Sequence, residues 1–199
     1  MVTRPALSSK IDYAAVEAAV QHHGLCIYGG FHGGPEDGLP DNHETLMMLG
    51  PGPDFWPHFK TTPEFLDGEK DPVDRWSARV IGALATELGA TPFLPFGGPP
   101  YAPFLSWALK TGRAWSSPVG MLVHDQMGLM VSYRGALVFA HQITLPPLST
   151  KPCDTCAKPC LTACPVNALS ADNGYDTGAC HAHLDTPQGA ECLSQGCIA

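Results

Sequence analysis

Basic residues are scarce: 11 Lys and Arg stand against 19 Asp and Glu in 199 residues, for a net charge of −8. A broad cationic surface for nucleic acid is thereby disfavoured. Long apolar runs are missing. No stretch approaches the roughly 20 residues of a membrane span, and Met1 to Lys10 has no apolar core of a signal peptide. These absences predict a soluble, cytoplasmic protein that engages neither membrane nor nucleic acid. No H-E-x-x-H is present. The glycine-rich stretch Gly29 to Pro35 fits neither G-x-G-x-x-G nor the phosphate loop with its Lys and Ser/Thr, so it reads as a flexible turn. No solenoid-length repeat is visible. The first 150 residues hold a single cysteine, Cys26. It lies in a short apolar segment and reads as a small core residue.

The other seven cysteines all follow residue 150. Four of them, Cys153, Cys156, Cys160 and Cys164, fall within twelve residues, and Pro165 follows the last. The bacterial ferredoxin run is C-x2-C-x2-C-x3-C-P, in which three thiolates hold one iron–sulfur cluster and the fourth serves another. Here the middle gap is one residue longer. Cys180, Cys192 and Cys197 complete the set. In a reducing compartment such cysteines are ligands rather than disulfides. Zinc is the alternative, with Cys153 and Cys156 as half of a zinc ribbon, but it leaves Cys160 and Cys164 without a role. His181 and His183 flank Cys180 and are expected to be exposed or to hydrogen-bond to cluster sulfides.

Gly and Pro are abundant, 21 and 20, which predicts numerous loops. Within the N-terminal part, residues 9–20 read as a helix capped by Ser9 with Asp12 closing a weak capping box. Leu25 to Tyr28 and Thr45 to Leu49 read as strands, and Asp54 to Phe65 as a short helix or irregular lid. Asp71 to Leu88 is the clearest helix. Asp71 is its N-cap, Pro72 its first residue, and Val73, Trp76, Val80, Leu84 and Leu88 its buried stripe, with Gly89 as the stop. Thr91 to Phe96 reads as a strand. Tyr101 to Lys110 reads as a helix with Phe104, Leu105, Trp107 and Ala108 inward. Pro118 to Val123 and Leu129 to Phe139 read as a hairpin about His124 to Gly128. Arg134, on its second strand, either snorkels to the surface or faces a bound anion.

Leu145 to Pro152 is a proline-rich connector. The expected organisation is an α/β domain over 1–144, the connector over 145–152 and a cysteine domain over 153–199. The fold class is α+β: a sandwich-like N-terminal α/β domain with a mixed or antiparallel sheet, then a small ferredoxin-like domain.

The cysteine order resembles that of epoxyqueuosine reductase and, more widely, the corrinoid-dependent reductive dehalogenases and vitamin B12-processing proteins. A second match runs from Ala114-Trp115 through Val119-Gly120, His124 and Gly128 to Arg134-Gly135-Ala136-Leu137-Val138. It is similar to the segment that closes the corrinoid pocket in those proteins. The resemblance covers about residues 70–199. It implies one [4Fe–4S] cluster on Cys153, Cys156 and Cys160, and a second on Cys164, Cys180, Cys192 and Cys197. The eighth thiolate of the pattern is expected in a C-P motif just past Cys197, and the sequence stops at Ala199 without it. The resemblance further implies a cobalamin in the N-terminal domain, with Arg134 and His124 as cofactor contacts. Electrons would come from a donor protein or small reductant and pass to a small-molecule substrate. The family's acidic proton donor has no counterpart in Gly97 to Pro103, where Tyr101 is the one obvious donor. A phenol is a sluggish acid near neutral pH, which points away from epoxyqueuosine itself. The competing reading is a non-catalytic electron carrier or structural cluster protein.

Overall fold

The computed structural model describes residues 11–190 and residue 192. Its elements in chain order are α1 (Tyr13–Gln21), β1 (Leu25–His32), β2 (Thr45–Pro51), α2 (Phe55–Phe59), α3 (Pro63–Leu66), α4 (Pro72–Leu88), β3 (Thr91–Phe93), α5 (Phe104–Lys110), β4 (Ala114–Ser116), β5 (Leu122–His124), β6 (Gly135–Phe139), β7 (Leu169–Ser170), β8 (Gly174–Tyr175) and α6 (Thr177–Leu184). The class is α+β, and among the described residues every strand pairing is antiparallel. Among the described residues, no helix is long and apolar enough to cross a membrane. The chain forms two compact units, and neither is contiguous. The first holds the residues through Gly112 together with Ser132–Leu148; the second holds Arg113–Val131 and the residues from Ser149 onward. The segment 113–131 thus groups with the cysteines.

The first unit is built on a four-stranded sheet in the order β1-β2-β6-β3. Thr45 to Gly50 is buried at every position, which requires cover on both faces. Side chains alternate across a strand. Met47, Leu49, Leu137 and Phe139 join one core with Val16 and Val20 of α1 and Trp76, Val80, Ile81 and Leu84 of α4. The alternate positions Leu46, Met48, Ala136 and Val138 are just as buried. Phe55 and Phe59 of α2 stack on one another and meet Trp76 edge-on.

Several boundaries differ from those read in the sequence. Asp12 is itself the N-cap of α1, accepting the Ala15 N–H at 2.9 Å; Ser9 lies outside the described residues. The first strand runs on through Gly29 and Gly30 to His32, so half of the glycine-rich stretch is sheet, with a bulge between Ile27 and Gly29. Asp71 precedes α4 in a left-handed conformation (φ 52°, ψ 46°) and makes no side-chain cap bond. Arg75 secures that end instead, donating to both Asp67 carboxylate oxygens and to the carbonyls of Glu64 and Lys70. Gly89 ends α4 in the left-handed region, as expected. The third strand stops at Phe93, short of Phe96. The fifth helix starts only at Phe104, after Pro99, Pro100 and Pro103, residues with no N–H to give a helix. Leu105 is exposed, not inward.

The expected hairpin is replaced by two different pairings. The fifth strand pairs with β4, while β6 lies between β2 and β3. All five residues of β6 are buried. A segment apolar at every position needs a central place in a sheet, which a two-stranded hairpin cannot supply. The turn joining β4 to β5 is Ser117 to Gly120, closed by a 3.0 Å bond from Gly120 N–H to Ser117 O, with Gly120 at φ 79°. Residues 124–128 still close on themselves, through reciprocal bonds between His124 and Gly128 of 2.9 and 3.0 Å.

Candidate thiolate metal centre

The cysteine segment has almost no regular structure, and its prolines explain why. Pro152 and Pro159 each open a single 3-10 turn, and these turns carry Cys153 and Cys160. Proline suits the first position because its missing N–H is not needed there. Cys180 sits on α6, which Asp176 caps by accepting the Ala179 N–H at 2.9 Å. Cys153, Cys160, Cys164, Cys180 and Cys192 are half-buried and Cys156 is exposed. Cys197 lies outside the described residues.

Cys156 and Cys164 both accept hydrogen bonds from the backbone. Lys158 N–H donates to Cys156 Sγ at 3.3 Å, and Ala168 N–H donates to Cys164 Sγ at 3.3 Å. A left-handed residue belongs to each of these turns, Lys158 in the first and Asn167 in the second. Ala168 is buried, and its carbonyl accepts the Asp176 N–H at 2.8 Å. The pairing of Leu169 with Tyr175 continues from it and leads into α6. The chain therefore returns from Cys164 to Cys180 along a fixed path.

Thiolate is a soft donor suited to iron–sulfur clusters and zinc, and N–H bonds to sulfur are among the features that set a cluster's potential. Cys153, Cys156, Cys160, Cys164 and Cys180 are in no disulfide. The donor set thus fits a cluster in kind. Among the described residues, no three His, Cys, Asp or Glu side chains converge as ligands of one metal ion. The thiolates of a [4Fe–4S] cluster each bind a different iron, so they ring a volume rather than meet at a point.

The same unit holds a compact polar network. His124 is buried, and its Nδ1 lies 3.0 Å from Asp125 Oδ1. The N–H groups of Gln126 and Met127 also point at that nitrogen, at 3.2 and 3.3 Å. Asp125 Oδ2 accepts from Arg113 Nε at 2.6 Å and from Ser149 Oγ at 2.5 Å. Burial pushes the Asp125 carboxyl up, but the bonds from Arg113 and Ser149 outweigh it and hold the group below its usual range. Arg113, Asp125 and Ser149 carry no motif. Their one signal in the sequence is that charges flank an otherwise apolar hairpin.

The remaining candidates lie in the first unit. Arg134 Nε donates to Ser77 Oγ at 3.0 Å, its guanidinium pairs with the Asp74 carboxylate, and it lies 5.6 Å from the Phe96 ring centre. It is therefore engaged by its own unit rather than merely snorkelling. Tyr101 is 67% exposed, with its ring against Gly98. Cys26 is half-buried, and burial, then Glu17, pushes its thiol up. On α6, His181 is exposed and His183 half-buried. The structure thus collects the six described C-terminal cysteines and His124 in one unit, and leaves Arg134, Tyr101 and Cys26 in the other.

No family model matches the chain, and neither a curated protein nor a solved structure matches it.

Proposed function

We propose that this chain is a cytoplasmic iron–sulfur redox protein whose C-terminal cysteines form a ferredoxin-like [4Fe–4S] module. The observation that carries the reading is the loop Cys153 to Pro165. Its thiols have ligand spacing, and two of them accept backbone N–H bonds at sulfur. Following the resemblance to the corrinoid-dependent reductases, Cys153, Cys156 and Cys160 serve one cluster, and Cys164, Cys180, Cys192 and Cys197 serve another. When bound, such clusters supply reversible one-electron storage. The protein's part is to hold the thiolates, orient N–H donors on them and keep the surroundings half-dry. The proposed acceptor is a cofactor, of the cobalamin class, or a small substrate in the first unit, fed by an external electron donor.

The test is anaerobic purification with assays for iron and acid-labile sulfide, and a visible spectrum before and after reduction. The expected result is a brown protein with broad absorption that bleaches on reduction. A colourless protein lacking both iron and sulfide overturns the reading. Titration of the loaded protein with cobalamin then addresses the acceptor. A shift in the corrinoid spectrum supports it, and an unchanged spectrum leaves an electron carrier.

A further inference from the structure

Histidine is the side chain whose ordinary charge change falls between about pH 5 and 8, and three histidines gather at one junction of the first unit. His22 and His23 follow α1, and their rings meet edge-on at 5.4 Å between centres. His58 comes from α2. A Cβ placed on Gly24 would stand 3.5 Å from both His58 Cβ and Phe55 Cα, so α2 lies directly on the chain leaving α1. Gly52 N–H, just before α2, donates to Gly24 O at 2.8 Å and ties the same junction. His58 also meets the Trp76 ring edge-on, at 6.4 Å between centres. Trp76 is fully buried, and α2 packs Phe55 and Phe59 against it. The Trp76 indole N–H has no hydrogen-bond partner among the described residues, so it gains one from water when α2 lifts.

We propose that His22, His23 and His58 form an acid-sensitive latch, which holds α2 on the end of α1 and on Trp76 and releases it when the three take up protons. Protonation sets like charges together in a half-buried place, and lifting α2 relieves this by giving the rings water. Burial, then His22 and His58, hold the His23 imidazole below its ordinary value; Glu87 of α4 opposes them and Arg79 of α4 adds to them. Arg79 is itself engaged by Glu64. On α2, Asp54 lies one turn before His58 and Lys60 two positions after it. Since His23 binds a proton more readily in the open form, closure is fully supported above about pH 6.5 and weakens as the pH falls below it. α2 is a single turn containing Pro57, with little helical stability of its own. α3 stays docked on α4 in this range, because hydrogen bonds from Arg79 and Arg75 hold the carboxyls of Glu64 and Asp67 down to about 2. The moving part is therefore α2 alone.

Residue-resolved hydrogen exchange on the full chain at about pH 7.5 and about pH 5.5, corrected for the intrinsic pH dependence of amide exchange, is the test. The reporters are the amides of His58 and Lys60, which bond to Asp54 O at 3.2 Å and Trp56 O at 3.0 Å, and the indole N–H of Trp76. The amides of Val80 and Leu84, inside α4, are the reference. Protection of the reporters is expected to fall about threefold or more at the lower pH while the reference holds. In the double variant His23→Gln, His58→Gln that response is expected to vanish. His22 is exposed, so His22→Gln spares the packing, is expected to weaken the response and decides the matter where the double variant fails to fold. Equal corrected protection at the two pH values overturns the inference, as does an undiminished response in the folded variants. Loss of protection in α2 and α4 together is global unfolding and overturns it as well. Iron enters none of these readouts, so failure here leaves the iron–sulfur reading standing.

Discussion

The ring of Tyr28 lies over Gly50, so close that a Cβ on Gly50 would stand 2.0 Å from a ring carbon. The bulge between Ile27 and Gly29 drops Tyr28 out of the strand register, and its hydroxyl donates to Pro51 O at 2.6 Å. Burial and then Cys26 push the Tyr28 phenol up to about 12, so it stays a donor at any ordinary pH. Gly50→Ala is expected to cost about 1–3 kcal/mol in urea unfolding, the usual penalty of overpacking. Tyr28→Phe should cost about 1 kcal/mol for the lost bond. In a Tyr28→Ala background Gly50→Ala should cost markedly less; equal costs in both backgrounds would show that the ring is not the obstacle.

Asp125 joins the two separate stretches of the second unit. It receives Arg113 at one end of the β4–β5 segment and Ser149 at the start of the cysteine segment. The carboxylate and the guanidinium are only 10% and 15% exposed, so removing one partner strands the other. Asp125→Asn is expected to destabilise the second unit by about 3 kcal/mol. Because its carboxyl is held below the usual range, its contribution is present above about pH 4 and is lost as the pH falls further. Thermal unfolding from pH 7 to 3 checks this: the wild type should lose more stability than Asp125→Asn.

Glu64 gives the first unit a similar dependence. Hydrogen bonds from Arg79 hold its carboxyl down to about 2, against burial that pushes it up. The pair therefore stabilises the fold above about pH 4.3, the ordinary glutamate value, and the benefit declines as the pH falls toward about 2. Glu64→Gln is expected to flatten the acid limb of the stability profile in that window. An acid limb identical to wild type would contradict the assignment.

Cys156→Ser and Cys164→Ser are each expected to lower the iron-to-protein ratio, since each removes a thiolate from one of the proposed ligand sets. Cys26→Ser, in the sheet of the other unit, should leave that ratio unchanged. Iron loss in Cys26→Ser equal to that in the loop variants would mean the loop is not the site.

What was legible in the sequence was local. The α4 stripe of Trp76, Val80, Leu84 and Leu88 repeats within one helix, and Gly89 ends it through its own backbone freedom. The thiolate spacing of Cys153 to Cys164 lies within a single loop. Partners far apart in the chain were not legible. Arg134 and Asp74 are separated by 60 positions, and β6 passes over its nearest neighbours in sequence to pair with β2 and β3. Spacing and propensity act over a few residues, whereas strand order, and with it which distant residues meet, is settled by which surfaces exclude water together. The spacing of the cysteines could therefore be read from the amino acids alone. That the β4–β5 segment groups with the cysteines was decided only by the folded chain.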